Sequence, residues 1–282
     1  MEIKEFIRYL QEKKLSKNTL LSYQSDLKNV EEFIKKPLIK ATEKDIHNYF
    51  RYIQDLKATT IRRRHIAVKR FFSYAEKMNL IDEDPSGNLE SPKLPQSIPK
   101  YMSSVEIDNL LKNLNNDNIW NLRNSTIVKL LYYTGMRIGE VQLLNIEDIN
   151  WDNFQVRVKG KGNKERIIPL NTNIVKTLKE WINVRSTIKC DSNALFISYA
   201  KNRRGKRISY GVIRQIVKEV LKNAGLGSYS PHKIRHTFAT RLLSKGVPLE
   251  QISKLLGHSR LDTTLIYAHT EVSKLRSAVE SL

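Results

Sequence analysis

The stretch DEDPSGNLESPKLPQSIPK, residues 82–100, limits this chain more than any other. It holds Pro85, Pro92, Pro95 and Pro99 together with Gly87. Proline lacks the N–H that a helix or a central strand needs, and its ring clashes with the turn before it. No regular element runs through such a stretch, so it reads as an extended linker. The 282-residue chain must then fold as two bodies, each long enough to bury a core. The boundaries expected are 1–84 for the first, 85–100 for the linker, 101–270 for the second, and a terminal helix over 271–282.

Before the linker, four helical patterns follow one another. Ile3, Phe6, Ile7 and Leu10 mark the first. The second starts at the N-cap candidate Ser16 and carries Leu20, Tyr23, Leu27, Phe33 and Ile34. Thr42 and Asp45 open the third with the spacing of a capping box. In the fourth, ATTIRRRHIAVKRFFSYAEKM (58–78), Ile61, Val68, Phe71, Phe72 and Ala75 fall on one side at 100° per residue. Arg62, Arg63, Lys69, Arg70 and Lys77 fall on the other, and no acid occurs from 57 to 70. A solvated face is one reading of such a helix; the other is a helix laid along a DNA groove, with arginines on phosphates and base edges.

Composition favours the second reading. Lys and Arg number 49 against 29 Asp and Glu, a formal net charge of +20, which points to a polyanionic partner. The lone Cys190 excludes an internal disulfide and fits a reducing compartment. No apolar run approaches the ~18 residues of a membrane span, and the start MEIKEFIRYL is not a signal peptide. A cytoplasmic protein without a membrane partner is expected.

After the linker the pattern is mixed. Helical periodicity covers 103–114 and 121–133, Gly135 ends a helix, and Arg137 stands at the start of the next. In NFQVRVKGKGNKERIIPL (153–170), Phe154, Val156 and Val158 alternate with Gln155, Arg157 and Lys159, the mark of a half-buried strand. GKGN at 160–163 is a hairpin turn with Lys161 at its tip. Helices are expected near 172–185 and 209–224, with the basic loop KNRRGKR (201–207), including Arg203 and Arg204, between them. The stretch 248–270 reads as two helices joined around Gly257 and His258. The fold class is therefore mainly α with a small β-hairpin or sheet (α+β).

Within SPHKIRHTFATRL (230–242), Ser230 is a good N-cap and Pro231 suits the first helical position. His232, Arg235 and His236 share one face, opposite a buried stripe of Ile234, Phe238 and Leu242. The trio is expected to look outward from a helix N-terminus, where backbone N–H groups favour an anion. Histidines at i and i+4 also have zinc spacing, but Lys233 stands where a metalloprotease needs Glu, and no carboxylate or Cys lies near. No phosphate-binding G-x-x-x-x-G-K loop and no acidic two-metal cluster occurs. No metal and no cofactor is assigned.

What remains is a set of cations and a phenol: Arg137, Lys161, His232, Arg235 and His258, with Tyr267 nine residues after the last histidine. Two guanidinium forks suit the non-bridging oxygens of a phosphoryl transition state. A 5′-alkoxide is a poor leaving group and needs a positioned acid, which Lys161 could supply. A tyrosine beside a histidine base is a workable nucleophile, and the phosphotyrosine it forms allows rejoining without ATP.

The segments TGMRIGE, KGKGNKER, SPHKIRHTFATRLL and LLGHSRLDTTLIYAH, with the early S-x-N-T-L-x-x-Y at 16–23, resemble the boxes of tyrosine recombinases, closest to the Xer group. Nearly the whole chain takes part in the resemblance. It implies a helical N-terminal core-binding domain that clamps DNA and a tyrosine-recombinase catalytic domain. Arg137, Lys161, His232, Arg235 and His258 would activate the phosphate, with Tyr267 as nucleophile. It also implies double-stranded DNA carrying a short inverted-repeat site as partner, and a tetramer on two sites with C-terminal helix exchange. A second recombinase or a DNA translocase is a further candidate partner. Val141, where the group usually has Leu, and Leu261–Asp262 depart from the usual wording and blur the branch. Because the chain starts directly at the core-binding domain, a resolvase of chromosome dimers is expected over an integrase or excisionase of a mobile element. Two other classes compete: a type IB topoisomerase, and a non-catalytic helix-turn-helix regulator in which Arg137 and Lys161 would have no role.

Overall fold

The structure, a computed structural model, describes residues 2–91, 101–160, 164–190 and 192–257. The chain divides into two compact units, residues 1–96 and 97–282. Among the described residues it is mainly helical, with one three-stranded sheet.

The first unit contains α1 (Glu2–Glu12), α2 (Lys17–Ile34), α3 (Glu43–Tyr52) and α4 (Ala58–Lys77). Local chemistry starts two of them. The Ser16 hydroxyl accepts from the Thr19 N–H at 3.2 Å, and Thr42 and Asp45 form a complete capping box. The apolar faces meet in a core of Phe6, Leu27, Val30, Ile46, Tyr49, Val68, Phe71 and Phe72, with Phe6 edge-on to Phe71 at 5.5 Å between centroids.

Part of the proline-rich stretch joins this unit instead of running extended. The Asp84 carboxylate accepts from the Ser86 N–H and hydroxyl at 2.7 and 2.6 Å, a turn that the aspartate side chain itself closes. Leu89 then returns to the core.

On α4 the basic residues separate into two kinds. Arg62, Arg70 and Lys77 are exposed. Arg63 instead pairs with the buried Asp26 of α2, and the adjacent Arg64 donates to the Tyr49 hydroxyl at 2.7 Å. Burial pushes the Asp26 carboxyl up from its ordinary range, while Arg63 and Arg64 act in the opposite direction.

The second unit opens with α5 (Ser104–Lys112), α6 (Ile119–Thr134) and α7 (Ile138–Leu143). Strands β1 (Ile149–Asn150), β2 (Gln155–Lys159) and β3 (Glu165–Pro169) follow in antiparallel order β1-β2-β3. Helices α8 (Thr172–Ser186), α9 (Tyr210–Asn223), α10 (Pro231–Ser244) and α11 (Leu249–Leu256) complete it. Val156, Val158 and Ile168 face a core shared with α6 and with Leu178 and Trp181 of α8.

Phe154 does not join them, contrary to its place in the alternating pattern. It precedes β2 in the turn from β1, its φ is +48°, and it is exposed. The left-handed backbone there breaks the two-residue period before the strand begins.

Gly135 ends α6 with φ +63°. A Cβ at this position would lie 2.4 Å from the ring of Phe238 on α10. The absence of a side chain allows α10 to pack against the end of α6.

Candidate active site

The site grows from the end of α6, the start of α7, strand β3 and helices α10 and α11. Arg235 is the centre. Its Nη1 donates to the Gly135 carbonyl at 2.7 Å and its Nη2 to the Leu256 carbonyl at 2.6 Å. These are helix-end carbonyls that lack partners within their own helices, so one guanidinium joins α6, α10 and α11.

The outward-facing trio expected from the sequence is therefore corrected. His232 is exposed, but His236 is half-buried and Arg235 is buried. Helical spacing gives residues a common face without saying what packs over it; here the ends of α6 and α11 cover Arg235.

Arg137, the N-cap of α7, is the more open cation, 40% exposed at its side chain. The Glu140 carboxylate caps the helix by accepting the Arg137 N–H at 2.8 Å, and it also accepts from Arg137 Nη1 at 2.9 Å. Arg166, from β3, donates through Nη1 and Nη2 to the two oxygens of the same carboxylate at 3.0 and 2.8 Å. Its Nε donates to the Leu255 carbonyl at 2.7 Å. Arg235 Nη1 lies 4.0 Å from Glu140 Oε2.

One buried carboxylate thus gathers three guanidinium groups. Burial alone would raise the Glu140 pKa, but its hydrogen bonds and ion pairs with Arg166 and Arg137 overcome this and hold it below its ordinary value. Glu140 and Arg166 are the site residues missed in the sequence. The i, i+3 spacing of Glu140 from Arg137 is a capping-box signal that could have found it. Nothing local pairs Arg166 with a residue 26 positions earlier.

One of two glycines beside this node is needed for its close approach to the backbone, Gly257, while Gly160 stands at ordinary contact distance. A Cβ on Gly160 would lie 3.7 Å from Arg166 Nη1, and one on Gly257 would lie 3.1 Å from it. These are the residues before Lys161 and His258 in the sequence. Lys161, His258 and Tyr267 themselves lie outside the described residues.

The histidines are held neutral. Partial desolvation of its ring, then Arg235, Arg137 and Arg214, lower the pKa of His232 although the residue as a whole is exposed. Burial, Lys233, His232 and Arg235 lower that of His236 to about 4. A histidine whose folded pKa is depressed gives stability that is complete above the unfolded value near 6.5 and is lost as pH falls toward the folded value. The thermal midpoint should therefore drop between about pH 6.5 and about pH 4, and His236→Asn should flatten that slope. Discounted for partial exposure, the His236 contribution is about 2 kcal/mol. A melting curve series that is flat across this window in the wild-type protein would contradict the assignment.

The remaining basic residues named from sequence lie on the surface or near it. Lys159 pairs with Glu165 across the strands at 3.6 Å, and Lys69 reaches the Gly87 carbonyl at 3.4 Å. Arg203 and Arg204 are exposed. Their loop is anchored by Arg207, which donates to the Gln142 and Leu144 carbonyls at 3.0 and 2.9 Å. Among the described residues no group of three or more His, Cys, Asp or Glu could hold a metal ion, and no helix is long and apolar enough to cross a membrane. Chemically, the cluster carries three guanidinium groups against one carboxylate, with the His232 imidazole on the same helix as Arg235, a charge balance that suits an anion.

Comparison with known proteins places the chain in a family. The profile described as phage integrase family matches residues 100–274, and the phage integrase N-terminal SAM-like domain matches residues 3–79. The chain is 40% identical to tyrosine recombinase XerC of Corynebacterium glutamicum over 220 residues, covering 78% of this chain and 70% of that one. It is 35% identical to tyrosine recombinase XerD of Yersinia pestis over 272 residues, covering 94% and 91%. Its fold resembles that of the XerH site-specific recombinase bound to palindromic difH substrate in a post-cleavage complex. The TM-score is 0.74 at 26% identity, over 93% of this chain and 77% of that one. On these matches the chain belongs to the phage integrase family as an Xer-type tyrosine recombinase, an enzyme that exchanges DNA strands with a tyrosine nucleophile.

Proposed function

We propose that this chain recombines DNA at a short dif-like site and thereby resolves chromosome dimers. The observation that carries this reading is the likeness, along nearly the full chain, to XerD of Yersinia pestis, together with the XerH fold solved on a difH substrate.

In this reading the scissile phosphate sits over the cluster. Arg137 and Arg235 hold its non-bridging oxygens, supported by His258. The Tyr267 oxygen attacks phosphorus and gives its proton to His232. The P–O5′ bond breaks, and the departing oxygen takes a proton from Lys161. The 3′-phosphotyrosine is then attacked by the 5′-hydroxyl of another strand, and the same proton transfers run in reverse.

Residues 1–84 serve as the DNA clamp and 101–270 as the catalytic domain, joined by 85–100. The apolar stripe Val272, Leu275, Val279 and Leu282, which lies outside the described residues, is assigned the role of linking four subunits on two sites. DNA contacts come from Arg62, Arg63, Lys69, Arg70 and Lys77 of the first unit, Arg63 through the side it leaves open beside Asp26, and from Lys159, Arg203 and Arg204 of the second.

The test is incubation with nicked duplexes from the terminus region of the parent chromosome, followed by a denaturing gel. A covalent adduct at one site, and recombination between two copies of that site, is expected. Supercoil relaxation without a paired site would indicate a type IB topoisomerase, and binding without any adduct a non-catalytic regulator.

The clamp can be tested through salt. Arg62→Ala and Arg70→Ala should each flatten the log–log dependence of affinity on salt by about one unit. Arg63→Ala should chiefly lower the thermal midpoint, because it takes a partner from buried Asp26. An unchanged slope in the first two variants returns α4 to a solvated face.

A further inference from the structure

Arg166 has no place in the chemistry above, yet all its polar reach is spent at the site. It is 12% exposed at its side chain, against 40% for Arg137. Both terminal nitrogens go to Glu140 and the Nε to Leu255. Gly257, where a Cβ would lie 3.1 Å from Arg166 Nη1, leaves the room its guanidinium fills.

The charges explain why such a residue is needed. Glu140 touches Arg137 and lies 4.0 Å from Arg235. A buried carboxylate without a dedicated cation would draw both guanidinium groups onto itself and compete with a phosphate for them. Arg166 matches the carboxylate bidentately, the geometry in which arginine binds it best. Three guanidinium groups then face one carboxylate, a net charge of +2 over these four side chains that favours an incoming phosphodiester.

We propose that Arg166 is a positioning residue that neutralises Glu140 and so keeps Arg137 and Arg235 aligned on the scissile phosphate. The proposal rests on the reading of Arg137 and Arg235 as the phosphate-binding pair. It makes Arg166 dispensable once the competing charge is gone, which a purely structural brace would not be.

The experiment measures single-turnover adduct formation on a nicked duplex carrying the site at which the wild-type chain forms its adduct. Arg166→Gln should slow cleavage about 10²-fold, the scale of a small misplacement of reacting groups. Adding Glu140→Gln to Arg166→Gln removes the competing charge and should recover at least about tenfold of that loss, a coupling readable as a double-mutant cycle. On a duplex whose scissile phosphate is replaced by a neutral methylphosphonate, the gap between Arg166→Gln and wild type should shrink to about threefold, since there is less charge to neutralise.

A double variant no faster than Arg166→Gln, or an equal loss on both duplexes, overturns the proposal and makes Arg166 a brace of the fold. Arg166→Lys keeps the charge without the bidentate fork, so it should fold and fall between wild type and Arg166→Gln. If Arg166→Gln fails to fold, Arg166→Lys carries the same comparison with and without Glu140→Gln, and the same outcomes decide it. Arg137→Ala is the control for the underlying reading: undiminished cleavage in that variant removes Arg137 from the phosphate whatever Arg166 does.

Discussion

Tyr267→Phe is expected to bind site DNA with wild-type affinity and to form no covalent adduct. The substitution removes one oxygen and keeps the ring, so packing changes little while the nucleophile is lost. Removing a nucleophile that acts as part of a catalytic unit lowers the rate by at least about 10⁴-fold, which brings adduct formation to background. A denaturing gel after overnight incubation measures it, and a gel shift on the same duplex confirms binding. An adduct surviving in this variant would transfer the role to another phenol. Tyr210, exposed at the start of α9, and Tyr229, whose hydroxyl donates to Glu106 at 3.1 Å, would be next to test.

Arg235→Lys is expected to fail in two ways at once. A lysine carries the charge but cannot donate to the Gly135 and Leu256 carbonyls in the fixed fork that Arg235 uses. Leaving one buried carbonyl without a donor costs about 1–3 kcal/mol of stability, seen as a lower thermal midpoint. Cleavage should fall about 10²–10³-fold, the scale for losing one preorganised donor at a developing oxyanion. Because the rate loss exceeds what the stability loss explains at a temperature where the variant is folded, the two effects separate. Near-wild-type single-turnover rates in a folded Arg235→Lys protein would take Arg235 out of the phosphate site.

Arg137 differs from Arg235 in a way that bears on both experiments. Its guanidinium is bound to Glu140 but open on its outer side, whereas that of Arg235 is enclosed by two helix ends. One arginine is thus built into the scaffold and the other stands at its rim.

Several parts of this protein were legible in the chain because their causes are local. Ser16 and Thr42 cap helices through groups three residues away. Gly135 ends α6 because a left-handed residue is needed there. The alternation of Val156 and Val158 needs only the pleat of one strand, and the helical periodicity of α1 to α4 needs only their own apolar faces. The mainly helical fold with a small sheet, the break in the chain, and the boxes that mark the family all follow from features of this range.

Pairing between distant segments was decided by tertiary structure. Arg63 looks like a groove-facing cation from helical spacing alone, and only the packing of α2 on α4 brings buried Asp26 to it. Arg235 shares a face with His232, yet the arrival of α11 turns its guanidinium to the interior. Arg166 reaches Glu140 across 26 residues and Leu255 across 89. Capping and periodicity act within about four residues, so sequence determines which elements form and which side chains share a face. Which of those faces is covered, and which charges neutralise one another, depends on desolvation by segments far away in the chain. For this recombinase the sequence determined the family and the elements that carry its boxes, and the tertiary structure decided that Arg166 of a distant strand is set against Glu140 and that Arg235 is enclosed by two helix ends.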